Sequence, residues 1–149
     1  MVALNADGLL PPGIHELSLS EVGEIFGSFQ QTDQRPNLYK RLVDLVEQVR
    51  GFPFVRDIIV DGSFVTAHPT PDDIDLIVVV EPEILSRTQP LNPFEYNAVS
   101  SRRLRKRYKF DVFVVPEGSG AYESYVRFFS RVKGGNPSES KGLVKLRLS

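Results

Sequence analysis

Two apolar runs, Val55 to Val60 and Leu76 to Val80, are joined by a segment too short for a helical crossover and interrupted by Pro69 and Pro71. Strands joined this closely pair antiparallel. The first run ends in Asp61-Gly62-Ser63, and after nine intervening residues the second is headed by Asp73-Ile74-Asp75. A small-residue turn at the end of one strand therefore lies beside carboxylates at the start of its neighbour.

Residues two apart on a strand share a face, separated by about 6.6 Å. Taking the second strand as Asp73 to Val80, Asp73 and Asp75 leave one face, and Asp72 and Ile74 the other. A helix expected over Pro93 to Arg107 leads to a further strand, Lys109 to Val115. A parallel crossover of this kind returns Asp111 to the sheet end that holds the Asp pair. By alternation, Phe110, Val112 and Val114 face the core, whereas Lys109, Asp111 and Phe113 do not.

Three carboxylates at one sheet end repel one another and lose hydration, which raises their pKa values. A divalent cation removes that penalty. Mg²⁺ binds a few carboxylates while keeping water and phosphate oxygens, and so suits Asp73, Asp75 and Asp111 better than Ca²⁺ does. A two-ion site there would support in-line displacement at phosphorus. Gly62 permits close backbone approach, and the Ser63 hydroxyl with the amides after it can donate to phosphate oxygens.

The remaining chain supplies helices and further strands. Leu9 to His15 is a Pro/Gly-punctuated lead-in, Ser18 or Ser20 is the N-cap candidate for a helix through Phe26, and Ser18 with Glu21 forms a capping-box pattern. Leu38, Leu42, Leu45, Val46 and Val49 recur at helical spacing over Pro36 to Val49. Tyr122 to Val132 reads as a helix whose Tyr125, Phe128 and Phe129 stripe belongs to the core, Gly134 to Pro137 as a loop, and Leu143 to Leu148 as an edge strand. The order predicts an α+β fold, a mixed β-sheet flanked by helices, in a single domain over residues 1–149.

Composition narrows the chemistry. Without cysteine there is no disulfide framework, thiol nucleophile or cysteine-ligated metal, and two isolated histidines leave little for zinc. A net charge of −1 does not point to nucleic acid. No apolar run approaches the ~18 residues of a membrane span. Met1 to Leu10 contains Asp7 and lacks a basic start, unlike a secretory signal, so a cytoplasmic protein is expected.

Gly62-Ser63, Asp73-Ile74-Asp75 and Asp111 together resemble the signature of the polymerase-beta-like nucleotidyltransferase superfamily, in its minimal single-domain form, over about Val55 to Val115. Leu10 to His15 and Gly62 to Thr66 also resemble a small uncharacterised prokaryotic family assigned to that fold. The resemblance implies Mg²⁺-dependent transfer of a nucleoside monophosphate from an NTP such as ATP to an acceptor, releasing pyrophosphate. Asp73 and Asp75 would hold the metals, Asp111 would complete the site and help activate the nucleophile, and Gly62-Ser63 would hold the triphosphate. Two features depart from the signature: Asp61 stands where an apolar residue is usual, and the linker from Ser63 to Asp73 is at the short limit.

Plainer readings stand beside these. The run Arg102-Arg103-Leu104-Arg105-Lys106-Arg107 reads first as a solvated helix C-terminus, with cations complementing the helix dipole. Phosphate or RNA contact is the second reading, in which two or three of the five cations would take part. His68 reads as a loop residue and His15 as structural, while Lys133 and Lys141 would reach a triphosphate or simply belong to a polar connector. The alternatives to an enzyme are an antitoxin-like interaction module and a nucleotide-binding sensor. An acceptor would be bound by the short flanks, a homo-oligomer or a partner protein.

Overall fold

The computed structural model describes residues 3–28, 32–86, 90–132 and 140–148. Among the described residues, five strands form one mixed sheet: β1 (Ile14–Ser18), β2 (Val55–Asp61), β3 (Asp75–Val80), β4 (Asp111–Pro116) and β5 (Leu143–Arg147). Their spatial order is β1-β5-β2-β3-β4. The β2–β3 and β2–β5 pairs are antiparallel, whereas β1–β5 and β3–β4 are parallel. The α+β class with a mixed, helix-flanked sheet is therefore observed.

The helices are α1 (Leu19–Phe26), α2 (Gln34–Val49), α3 (Pro82–Leu85), α4 (Pro93–Val99), α5 (Ser101–Tyr108) and α6 (Gly120–Phe129). The expected capping box opens α1: Ser18 Oγ accepts from Glu21 N, and Glu21 Oε1 accepts from Ser18 N. α2 buries Leu38, Leu42, Leu45, Val46 and Val49, the stripe read from helical spacing. No described helix is long and apolar enough to cross a membrane.

Alternation along the strands divides the apolar residues between two cores. Ile58, Val60, Leu76, Val78, Val112 and Val144 pack with residues of α1, α2, α4 and α5. Ile59, Ile77, Val79, Val115 and Leu143 pack on the other face with Phe129 of α6. Both sides of β3 are buried, which accounts for its unbroken apolar run.

Four expectations need correction. The lead-in runs at Ile14 into β1, a strand too short and too mixed in polarity to announce itself, and this strand needs β5 as its partner. β5 is interior, between β1 and β2, because β1 covers the side that the sequence left exposed. The helix over Pro93 to Arg107 breaks at Ser100, whose extended backbone ends α4 and whose side chain caps α5 by accepting from Arg103 N. The second strand starts at Asp75, two residues late, and Lys109 precedes β4 in the left-handed region at φ 64°. Lys133 and the loop from Gly134 to Pro137 lie outside the described residues.

Candidate functional site

β2 ends where β3 and β4 begin, and the register makes their meeting point acidic. Asp61 lies opposite Asp75 across the β2–β3 pair, and Asp75 lies beside Asp111 across the β3–β4 pair. Directly paired residues point to the same face, so three neighbouring strands present a row of three carboxylates. Asp73 stands one alternation before Asp75, outside the strand. Parity still holds there, because the intervening Ile74 is buried in the core on the opposite face.

The turn after β2 is built against this segment. Gly62 has φ +98°, and a Cβ there would come within 2.8 Å of the Asp73 carbonyl oxygen and 3.1 Å of Asp75 N. Only glycine lets the two backbones approach this closely without strain. Ser63–Val65 then makes a single helical turn. Ser63 N donates to Asp73 Oδ1 at 2.9 Å, and the Ser63 hydroxyl donates to the same oxygen. Asp72 N and Asp73 N donate to Ser63 Oγ at 3.3 and 3.4 Å.

The structure thus brings Gly62 and Ser63 to Asp73, and Asp75 to Asp111. Ser63 is not turned outward, however. Its hydroxyl and amide hold Asp73, and the next amides also donate inward: Phe64 N to the Asp73 carbonyl, Val65 N to the Gly62 carbonyl and Thr66 N to the Ser63 carbonyl.

Burial and charge set the electrostatics. Asp75 is half-buried, and its carboxyl is pushed up to about 6 by desolvation first, then by the charges of Asp73, Asp61 and Asp111, with Lys141 opposing. Asp61 is 3% exposed, and burial raises its pKa against the pull of Lys141, whose Nζ lies 2.9 Å from Asp61 Oδ1. Asp73 and Asp111 are exposed. Among the described residues, no three carboxylate or imidazole groups are gathered closely enough to form a ready-made metal-binding group. Asp73 is drawn to Ser63, and Asp61 to Lys141.

Three contributors escaped the sequence reading. Asp61 registered only as a departure from a signature, although its alternation with Ile59 was a usable signal. Lys141 stood as one of two loop lysines, and nothing local links it to Asp61, 80 residues away. Arg35, 2% exposed, gave no signal at all. Its guanidinium donates to the carbonyls of Phe26, Phe64, Thr66 and His68 at 2.6–3.1 Å, fastening the segment behind Ser63 to α2.

The other candidates fall into place around the sheet. His68 Nδ1 accepts from Thr70 N within its loop, and His15 Nε2 bonds to the Pro11 carbonyl at 2.7 Å, a structural contact as expected. Tyr125 packs on Phe113 and Phe129 is buried, but Phe128 is 60% exposed, so the aromatic stripe is core only in part. Five cations were expected to divide around one helix, with two or three on any one ligand. Four of them, Arg102, Arg103, Lys106 and Arg107, line one cleft, and Arg105 turns to the β4 edge, donating to the Val112 carbonyl.

No curated protein and no solved structure matches this chain. A single family model spans residues 2–147, from before β1 to the end of β5, and by that match the chain belongs to a family of unknown function, DUF6932.

Proposed function

We propose that the protein is a Mg²⁺-dependent nucleotidyltransferase that moves an NMP group from an NTP to an acceptor, with release of pyrophosphate. The observation that carries this reading is the side-by-side register of Asp75 and Asp111, with Asp73 one alternation upstream and the Gly62-Ser63 turn packed against it.

The donor set fits a hard divalent cation. Asp73, Asp75 and Asp111 offer only carboxylate oxygens, and the charge that accumulates on Asp75 is what such an ion would neutralise. When bound, Mg²⁺ would supply charge neutralisation at the reacting phosphorus and lower the pKa of the acceptor hydroxyl. Asp111, exposed beside Asp75, is suited to take the acceptor proton on a carboxylate oxygen. The acceptor oxygen bonds to the α-phosphorus as the bond to the β-phosphate oxygen breaks. Ser63 orients Asp73 through two hydrogen bonds, and Gly62 keeps the turn against the Asp73–Asp75 backbone.

The inward use of the Ser63 donors favours a second reading, a nucleotide-binding sensor or antitoxin-like module that keeps the site without turnover. One experiment separates them: incubation with each α-labelled NTP, Mg²⁺ and cell extract, comparing the wild type with Asp73→Ala/Asp75→Ala. Label transfer by the wild type alone is expected. Transfer that survives the double substitution overturns the mechanism, and NTP binding without transfer selects the sensor.

A further inference from the structure

The break at Ser100 changes what the basic run means. With α5 starting at Ser101, only Arg105, Lys106 and Arg107 fall in its last turn, where cations complement the helix dipole. Arg102 and Arg103 fall in its first turn, at the positive end, with no acidic residue beside them. The dipole therefore opposes them. Like charges four apart, Arg102 with Lys106 and Arg103 with Arg107, add repulsion. Among the described residues, no carboxylate forms an ion pair with any of these four. Helix stability does not explain the cluster.

The four side chains line an open cleft of about 560 Å³, with Asn97 of α4 and Gln48 of α2 as polar neighbours. Arg102 to Arg107 spans about 7.5 Å along the helix axis, too far for one phosphate group to touch every cation but suited to successive phosphates of a strand. One exposed aromatic ring touches a cleft arginine, and a second stands on the same helix. Tyr96 is 42% exposed with the Arg103 guanidinium 5.6 Å from its ring centroid, and Phe94, one turn before Asn97, is 75% exposed.

From this geometry we infer that the α4–α5 cleft is a binding site for single-stranded nucleic acid, with Arg102, Arg103, Lys106 and Arg107 on the phosphates and Phe94 and Tyr96 stacking on bases. Cations that track a backbone, combined with aromatic faces open to bases, are the two elements single-strand recognition uses. A duplex keeps its bases stacked and would leave the rings unused. An acidic peptide would use the charges but not the exposed rings. The overall charge of −1 conceals the site, because the cations are gathered on one short helix.

The cleft is separate from the carboxylate row. Leu104 and Tyr108 anchor α5 in the core on the Leu76 face of β3, opposite the face of Asp75. The inference therefore does not rest on nucleotidyl transfer and can be tested without it.

The probe is a fluorescein-labelled single-stranded RNA of about 12 nucleotides, read by anisotropy from 50 to 200 mM KCl. Three or four neutralised phosphates predict an affinity that falls roughly 20–50-fold over that range. Arg102→Glu/Lys106→Glu should weaken binding at least about tenfold and flatten the salt dependence, and Arg103→Gln/Arg107→Gln should do so less steeply. Phe94→Ala, at a ring that is 75% exposed, should weaken binding about fivefold or more with the salt slope unchanged. Circular dichroism confirms that each variant is folded. No binding at 50 mM KCl, or binding that both charge variants retain, overturns the site. Equal competition by duplex RNA or by tripolyphosphate overturns the single-strand assignment.

Discussion

Asp61 and Asp75 face each other across the β2–β3 pair, one nearly fully buried against Lys141 and the other half-buried and, among the described residues, in no ion pair. Two carboxylates so placed cannot both be comfortable as anions. Lys141 pulls Asp61 down without cancelling the rise that burial causes, and Asp75 is raised by its own burial first and then by the charges of Asp73, Asp61 and Asp111.

The first prediction concerns pH. Burial, with the neighbouring carboxylates, pushes the Asp75 carboxyl up to about 6 in the folded chain, from an ordinary 3.8. The folded state therefore holds the proton more tightly than the unfolded state. Its contribution to stability is complete below about pH 4 and is lost as pH rises through 6. Asp75→Asn should raise the metal-free melting temperature at pH 7.5 by about 2–6 °C and flatten its fall between pH 5 and 7. Under the proposed function, Mg²⁺ should raise the melting temperature of the wild type and not of this variant. A metal-free pH profile of melting temperature between pH 4 and 7 that Asp75→Asn leaves unaltered would contradict the prediction.

Lys141→Met removes the counter-ion of a carboxylate that is 3% exposed. Breaking such a pair from one side costs about 3–5 kcal/mol. Adding Asp61→Asn should recover most of the loss. The denaturant midpoints of the two single variants and the double variant form a cycle that reports the coupling directly.

Gly62→Ala forces a side chain into φ +98° and a Cβ to 2.8 Å from the Asp73 carbonyl oxygen. Backbone strain alone costs about 1–3 kcal/mol. The turn must also move away from Asp73, which should loosen both Ser63 contacts. Chemical denaturation measures the first effect, and loss of Mg²⁺-dependent stabilisation measures the second.

Arg35→Met leaves four backbone carbonyls without their donor, three of them in the segment behind Ser63. A loss of about 3 kcal/mol or more is expected. Hydrogen exchange should quicken over residues 63–68 before it does in β2 or β3. Uniform quickening would assign Arg35 a global role instead.

The carboxylate positions were legible because strand parity is local. Apolar runs at 55–60 and 76–80 announce strands, a short link makes them antiparallel, and a helix between β3 and β4 makes that pair parallel. From these steps Asp75 and Asp111 become neighbours without any tertiary information. Ser18 and Glu21 were legible for the same reason, since a capping box is complete within four residues.

What resisted reading was whatever depends on a distant partner. β1 has meaning only beside β5, more than 120 residues later in the chain, and β5 is interior only because β1 is there. The break at Ser100 carried only the Ser100-Ser101 pair as a local signal inside one amphipathic stretch, and it decides which way the cations of α5 point. By itself the sequence determined the fold class and the acidic row's membership on β3 and β4, through periodicity and link length. Only the tertiary structure decided that Lys141 neutralises Asp61, that Ser63 turns inward to Asp73 and that four cations share one cleft. The reason is physical: alternation and capping act over a few bonds, whereas burial and charge pairing depend on which distant segments the packing brings together.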